Sequence, residues 1–344
     1  MGLFEPGFFA RAAVAAGAAI VLWGASLSGA SAADEKTYTM KISLPTLNDS
    51  LHQYGKNLAA AVEKDSGGRI KAEVYPASQL GSVPRQIEGA QFGAIECVIE
   101  PPEYFTGLDE RFEVMAAPGL VNSMDNGERV AADSAVTKLM FSLGESKGLH
   151  GVAMFMATPS QIVSRTAIRH LADFKGKKLR IFSSDFQSIA LQRLGATPIA
   201  MTLGDVLPAI QQGTIDGAIA ALAVYVPMHY QDAAKYVTNT GQPSIFLITE
   251  LSKKWLATLP PDLPPIIEKD AGDQARAIHA FALDFNDRMA KAWTAAGGEL
   301  IDLPPDEQAK MLATLSSVGA DVSKNKPALA EAYKIVSDAA QRTR

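Results

Sequence analysis

The chain holds few residues spaced for chemistry. Its five histidines, His52, His150, His170, His229 and His279, are scattered with no two at i, i+4, so no metal site is expected from their spacing. There is no G-x-S-x-G elbow, no H-E-x-x-H, no C-x-x-C, no Walker glycine loop and no G-x-G-x-x-G. A Ser/His/Asp set assembled only by folding stays open, because triads are recognised by geometry rather than order. The residue that stands out is Arg180, in "KKLRIFS", between Leu179 and the apolar pair Ile181 and Phe182. A guanidinium buried without a partner costs on the order of several kcal/mol, so the position is either a solvated strand end or a site for an anion. Its planar fork pairs a carboxylate through two parallel hydrogen bonds, which suits an organic acid; the competing reading is a surface pair with Asp173 or Asp185.

The elements that must position Arg180 follow an ordered plan. "MKISL" (Met40 to Leu44) alternates as a strand. A helix follows through Tyr54, Leu58, Ala61 and Val62 and ends at Gly67-Gly68. "RIKAEVY" is a second strand, "VPRQIEGAQFG" a short helix and "AIECVIE" a third strand, so the order is β-α-β-α-β, the plan of an open parallel sheet with crossover helices. The same grammar returns in "KKLRIFS", "DFQSIALQRL", "ATPIAM", "LGDVLPAIQQG" and "TIDGAIA". Gln91 to Glu96 and Gln211 to Asp216 both read Gln-x-Gly-x-Ile-acid at a helix-to-strand junction, which points to two lobes of similar build. Residues 264–296 carry apolar side chains at steps of three or four and predict one amphipathic helix of roughly 45–50 Å, long enough to run along both lobes. "LIDLPP" is a short extended piece, and helical stretches over 306–318 and 327–344 finish the chain. With no low-complexity linker, the lobes are expected to be joined by crossing strands.

The ends and the composition bound the setting. An apolar run from Ala12 to Trp23 follows Arg11 and exits through small residues to Ala30-Ser31-Ala32, which reads as a secretory signal peptide, residues 1–32, cleaved before Ala33. A retained membrane anchor is the alternative, and the small-residue exit argues against it. The formal net charge of −5 gives no electrostatic footprint for nucleic acid or anionic lipid. The mature protein is therefore expected to be soluble outside the cytoplasm. The one cysteine, Cys97, forms no internal disulfide, and its apolar run favours a packed thiol.

A two-lobed α/β protein outside the cytoplasm, without catalytic motifs, has the shape of a binding protein whose ligand sits between the lobes. Here the residues resemble a known family. "DFKGKKLR" followed by "LGATPIAMTLGDVLPAIQQGTIDGAIA", together with "SGGRIKAEVYPASQLGSVPRQIEGAQFGAIE", "HYQDAAKYVTNTGQ" and "WLATLPPDL", is similar to the solute-binding proteins of tripartite ATP-independent periplasmic (TRAP) transporters, the DctP family. The likeness is strongest over 37–296. It implies a periplasmic, two-lobed binding-protein fold that closes over its ligand. Lobe 1 spans 33–158 with part of 240–265. Lobe 2 spans 159–239 with an extended segment near 299–303. A helix over 264–296 crosses both, and helices over 304–344 follow. It also implies no catalysis, no cofactor and no metal, with delivery of an organic acid to a membrane permease of small and large subunits.

The resemblance assigns Arg180 to the family arginine that salt-bridges the ligand carboxylate. Ser183 falls where members often place a polar contact, and "EPPEYF" matches a cleft-lining region, with Glu100 and Tyr104 as candidates. Ala220 stands where the family asparagine usually hydrogen-bonds ligand, and Leu203 where some members place an aromatic. A second family arginine is missing: the aligned region offers Ser160 or Thr166, with Gln161 and Arg165 as unaligned substitutes. Tyr225 and Phe246 are candidate apolar walls. Losing one cation and one amide points to a carboxylate with a less polar remainder, such as an aromatic, branched-chain or 2-oxo acid. The competing ligand is a C4-dicarboxylate, with Arg165, Gln161 or a backbone amide as second anchor; the competing classes are a sensor partner and a hydrolytic enzyme.

Overall fold

The computed structural model describes residues 36–344, with 242–244 described by backbone alone. The expected signal peptide lies outside the described residues. In chain order the first part comprises β1 (Tyr38–Ser43), α1 (Ser50–Asp65), β2 (Ile70–Tyr75), α2 (Val83–Phe92), β3 (Cys97–Glu100), α3 (Met124–Ala131), α4 (Ser134–Ser142) and β4 (Leu149–Ser164). Then follow β5 (Lys178–Ile181), α5 (Asp185–Arg193), β6 (Thr197–Ala200), α6 (Leu203–Gln211), β7 (Gly217–Ala220), α7 (Leu222–Tyr225), β8 (Tyr236–Ser252) and α8 (Lys253–Leu256). The chain ends with α9 (Leu263–Ala295), β9 (Glu299–Asp302), α10 (Pro305–Leu315), α11 (Val318–Ser323) and α12 (Pro327–Arg342).

The strands run β2-β1-β3-β8-β4-β7-β5-β6 across one sheet, with β9 beside β8. Within each lobe the pairing is parallel, β2 and β3 on β1, and β6 and β7 on β5. The junction is made by crossing strands, as expected, and is antiparallel. β3 pairs antiparallel with β8, β8 with β4, and β4 with β7, because two long strands traverse both lobes in opposite directions. β4 and β8 pair from Leu149 opposite Ser252 to Ser164 opposite Tyr236, with register shifts at 151/153, 156/158 and 159/161. Pro159, which lacks a ladder N–H, sits at one of these irregularities, where a strand tolerates it.

The two Gln-x-Gly-x-Ile-acid segments take the same turn. Gly93 (φ 77°) and Gly213 (φ 74°) both end a helix in the left-handed region. Each following acid then caps a lysine N–H on the first strand of its lobe: Glu96 accepts from Lys41 and Asp216 from Lys178, both at 2.8 Å. The long helix is α9. It places Ile267, Ala271 and Ile278 in the core beneath β1, and Phe285 and Trp293 in the two cores of the other lobe. The stretch expected to be helical over 306–318 is broken, with α10 ending at Leu315 and α11 starting at Val318. Cys97 is fully buried, and burial pushes its thiol pKa up.

Candidate functional site

Arg180 lies on β5, opposite Ile199 of β6 and Ala218 of β7. Its side chain is fully buried, which removes the solvated-strand-end reading. Nε donates to the Met201 carbonyl at 2.9 Å and Nη1 to the Ile219 carbonyl at 2.8 Å, so the guanidinium closes the carboxyl ends of β6 and β7. Nη2 donates to the Tyr104 hydroxyl, and the Phe182 ring lies 4.4 Å from the guanidinium carbon. Those bonds use three of the five guanidine N–H groups.

Neither surface acid weighed from the sequence pairs with Arg180. Asp173 accepts the backbone N–H groups of Arg169 and His170, and Asp185 pairs with Lys326. Burial disfavours the charged form of the acidic groups near the cation. Burial pushes the Tyr104 phenol pKa up to about 12 against the pull of Arg180. Burial also raises Glu103 to about 8, with Glu113 adding to the rise and Arg180 opposing it. Arg180 is thus a buried cation whose hydrogen-bond partners are all uncharged, a costly arrangement unless an anion completes it.

Beside it lies a narrow cavity of about 40 Å3. Its walls come from the carboxyl ends of the strands, where open α/β sheets bind ligands. Tyr104, Phe182 and Ala220 form the wall next to Arg180, and Leu203, Ala223 and Val224 extend it. Ala157, Thr158, Ile245 and Leu247 of the crossing strands supply the floor. The opposite wall is the turn from Pro45 and Thr46 into α1, with Asp49, Ser50 and Leu51. Asp49 is the N-cap of α1, accepting the His52 N–H at 2.9 Å. The two lips also touch directly: Thr106 Oγ1 donates to the Ser183 carbonyl at 3.2 Å, and Glu113 accepts from Ser184 Oγ at 3.1 Å and from the Asp185 N–H at 2.6 Å.

The structure brings Tyr104, Leu203 and Ala220 to the cavity wall and sets Arg180 one hydrogen bond behind it. It does not bring the other sequence-selected residues there. Ser183 is exposed on the outer side of the lip. Glu100 is fully buried, its carboxyl oxygens have no hydrogen-bond partner among the described residues, and burial pushes its pKa well up. Gln161 accepts the Leu222 N–H at 2.9 Å and donates to Asn239 at 2.7 Å, facing a separate groove that Ser160 also lines. Arg165 pairs with Asp216 at 3.1 Å. Tyr225 is core rather than wall: its hydroxyl lies 2.8 Å from the Ala218 carbonyl, and its ring packs on Tyr230 and Trp293. Phe246 is core as well, because alternation along β8 turns its neighbours Ile245 and Leu247 to the cavity instead.

Sequence reasoning missed Phe182 and the α1 wall. Phe182 could have been found from its place two residues after Arg180. The residues of "PTLNDS" read only as a turn, and nothing local places them across from β5.

The chain matches the model of the bacterial extracellular solute-binding protein family 7 over residues 43–325. The C4-dicarboxylate-binding periplasmic protein DctP of Rhodobacter capsulatus is 26% identical over 258 residues, 74% of this chain and 77% of that one. Solved structures share the fold, among them the following two. The sugar acid binding protein DctPAm of Advenella mimigardefordensis, in complex with galactonate, superposes with a TM-score of 0.85 at 21% identity, covering 90% of this chain and all of that one. A TRAP periplasmic solute-binding protein of Desulfovibrio salexigens, with bound orotic acid, gives 0.84 at 20% identity and the same coverage. No helix among the described residues is long and apolar enough to cross a membrane.

Proposed function

The chain belongs to family 7 of the bacterial extracellular solute-binding proteins, and on that premise we propose that it holds an organic acid between its lobes, Arg180 taking the carboxylate, and delivers it unchanged to a TRAP membrane permease. The observation that carries this reading is a buried guanidinium with only neutral hydrogen-bond partners beside a largely apolar cavity. An incoming carboxylate supplies the missing charge. It takes the N–H groups left open on the fork, or those freed when the Tyr104 hydroxyl moves aside.

The same surroundings speak for one carboxylate and a less polar remainder, such as an aromatic, branched-chain or 2-oxo acid. The substitutes for a second anchor are already engaged, Arg165 with Asp216 and Gln161 with Leu222 and Asn239. Ala220, in place of an amide, adds no polar group to the wall. A polar ligand end placed against this wall would lose its water without gaining a partner. The relatives' ligands, a C4-dicarboxylate, galactonate and orotic acid, are all acids, which agrees with the anchor and leaves the remainder to this chain's own pocket.

The test is calorimetric titration of the mature protein with a panel of organic acids, repeated with Arg180→Lys, which keeps the charge and loses the fork. Binding of apolar monocarboxylates that falls at least tenfold in the variant is the expected result. Equal affinity in both proteins removes Arg180 as the anchor. Tight binding of succinate, malate or fumarate with no response to apolar monocarboxylates overturns the ligand class.

A further inference from the structure

We propose that Asp49 is a charge filter that keeps ligands with a second carboxylate out of the cavity. The proposal rests on the reading of Arg180 as carboxylate anchor and concerns the opposite wall. That wall is the amino end of α1, a helix of 16 residues whose free N–H groups and dipole would otherwise suit an anion. Asp49 takes that place itself: it caps the helix, and its carboxyl accepts the His52 N–H at 2.9 Å.

The second feature is its position. Asp49 is only 5% exposed yet contributes to the cavity wall, and it is the one acidic or basic side chain among the described residues that line it. Its polar neighbours on the wall are the hydroxyl residues Thr46, Ser50 and Thr158, which bring no positive charge. A monocarboxylate bound by Arg180 turns an uncharged tail towards Asp49. A diacid that turns its second carboxylate there meets the Asp49 carboxyl in a partly desolvated space where like charges are weakly screened; burial raises the Asp49 pKa, and the hydrogen bonds from Thr46 and from the His52 and Leu51 N–H groups favour its charged form. The helix end that would have offset that repulsion is already occupied.

Asp49→Asn is the informative variant, since asparagine caps helices as well as aspartate and the change removes only the charge. Affinities are measured for pairs of equal length, butyrate with succinate and pentanoate with glutarate, in the wild type, in Asp49→Asn and in Arg180→Lys. The expected result is that Asp49→Asn shifts the preference toward the diacid by about tenfold or more, while Arg180→Lys weakens both members of each pair. An unchanged ratio in Asp49→Asn overturns the filter and leaves the Arg180 anchor standing. A wild type that already prefers the diacids overturns the filter too. Loss of the Arg180 effect overturns the anchor and the filter with it. Should Asp49→Asn fold poorly, Asp49→Ser, another good cap without charge, reads the same ratio.

Discussion

The Nη2 of Arg180 donates to the hydroxyl of Tyr104, so the cation on β5 is held across the cleft by a neutral phenol from the segment after β3. The phenol occupies a fork position that a carboxylate would take with a charge. Removing it by Tyr104→Phe leaves a buried N–H unpaired, which costs about 1–3 kcal/mol in the ligand-free protein. Differential scanning calorimetry should therefore show a lower melting temperature without ligand. It should also show a larger ligand-induced rise than in the wild type, because the ligand then restores a lost acceptor. A rise smaller than that of the wild type would mean that the hydroxyl bonds the ligand instead of standing in for it.

Glu103 sets a pH dependence. Its carboxyl is buried and its folded-state pKa is raised to about 8, above the ordinary 4.5. Between those values the folded state binds the proton that the unfolded state has released, so stability falls as pH rises from about 5 to 8. Glu100 and Glu250 are raised for the same reason, burial, and their contributions fall with rising pH too. Urea unfolding at pH 5, 6.5 and 8 should show this decline. Glu103→Gln should flatten it by a few kcal/mol, on the order of the shift converted at about 1.4 kcal/mol per unit. A variant whose stability falls as steeply as the wild type's would place the responsible proton elsewhere.

What could be read from the sequence was local. The β-α-β runs of each lobe carry their own period, turn glycines and acid caps, and the likeness of Gln91 to Glu96 and Gln211 to Asp216 reflects the same turn and the same lysine cap. The crossing strands β4 and β8 could not be delimited this way. "GVAMFMATPSQIVS" is buried on both faces along most of its length, so it lacks alternation, and Pro159 with its neighbouring register shifts interrupts the pattern. The site divided likewise. Arg180 was visible as a charge inside an apolar strand, whereas the choice of Ile245 and Leu247 over Phe246 depends on a register that no local period reveals. Asp49 looked like a turn residue because it is one; its facing the cavity is decided by the distant pairing that brings β1 and β5 into one sheet.

Gly217 opens β7 and pairs with Ser164 of β4 and Leu179 of β5. A Cβ at this position would lie 2.2 Å from the Val163 carbonyl oxygen, which is backbone and cannot swing aside. Gly217→Ala should therefore force β7 away from β4 and cost about 3 kcal/mol or more, with loss of ligand binding because Ile219 and Ala220 on the same strand flank Arg180. Chemical denaturation and titration of the same preparation check both. A variant within about 0.5 kcal/mol of the wild type would show that the β4–β7 pairing has slack that the contact geometry does not suggest.

Tyr225 separates architecture from ligand contact. Its hydroxyl lies 2.8 Å from the Ala218 carbonyl and 2.9 Å from the Gln161 carbonyl, and it accepts the Val163 N–H at 3.3 Å. It thus ties α7 to both β4 and β7 behind the cavity wall. Tyr225→Phe keeps the ring packed against Tyr230 and Trp293 and removes only these bonds, so a loss of about 1–3 kcal/mol in unfolding free energy is expected. The affinity for the acid that binds the wild type best should stay within about twofold, since no atom of the hydroxyl reaches the cavity lining. A fall in affinity without a fall in stability would instead make the hydroxyl a ligand contact, and would require the cleft to bind with α7 displaced from its position here.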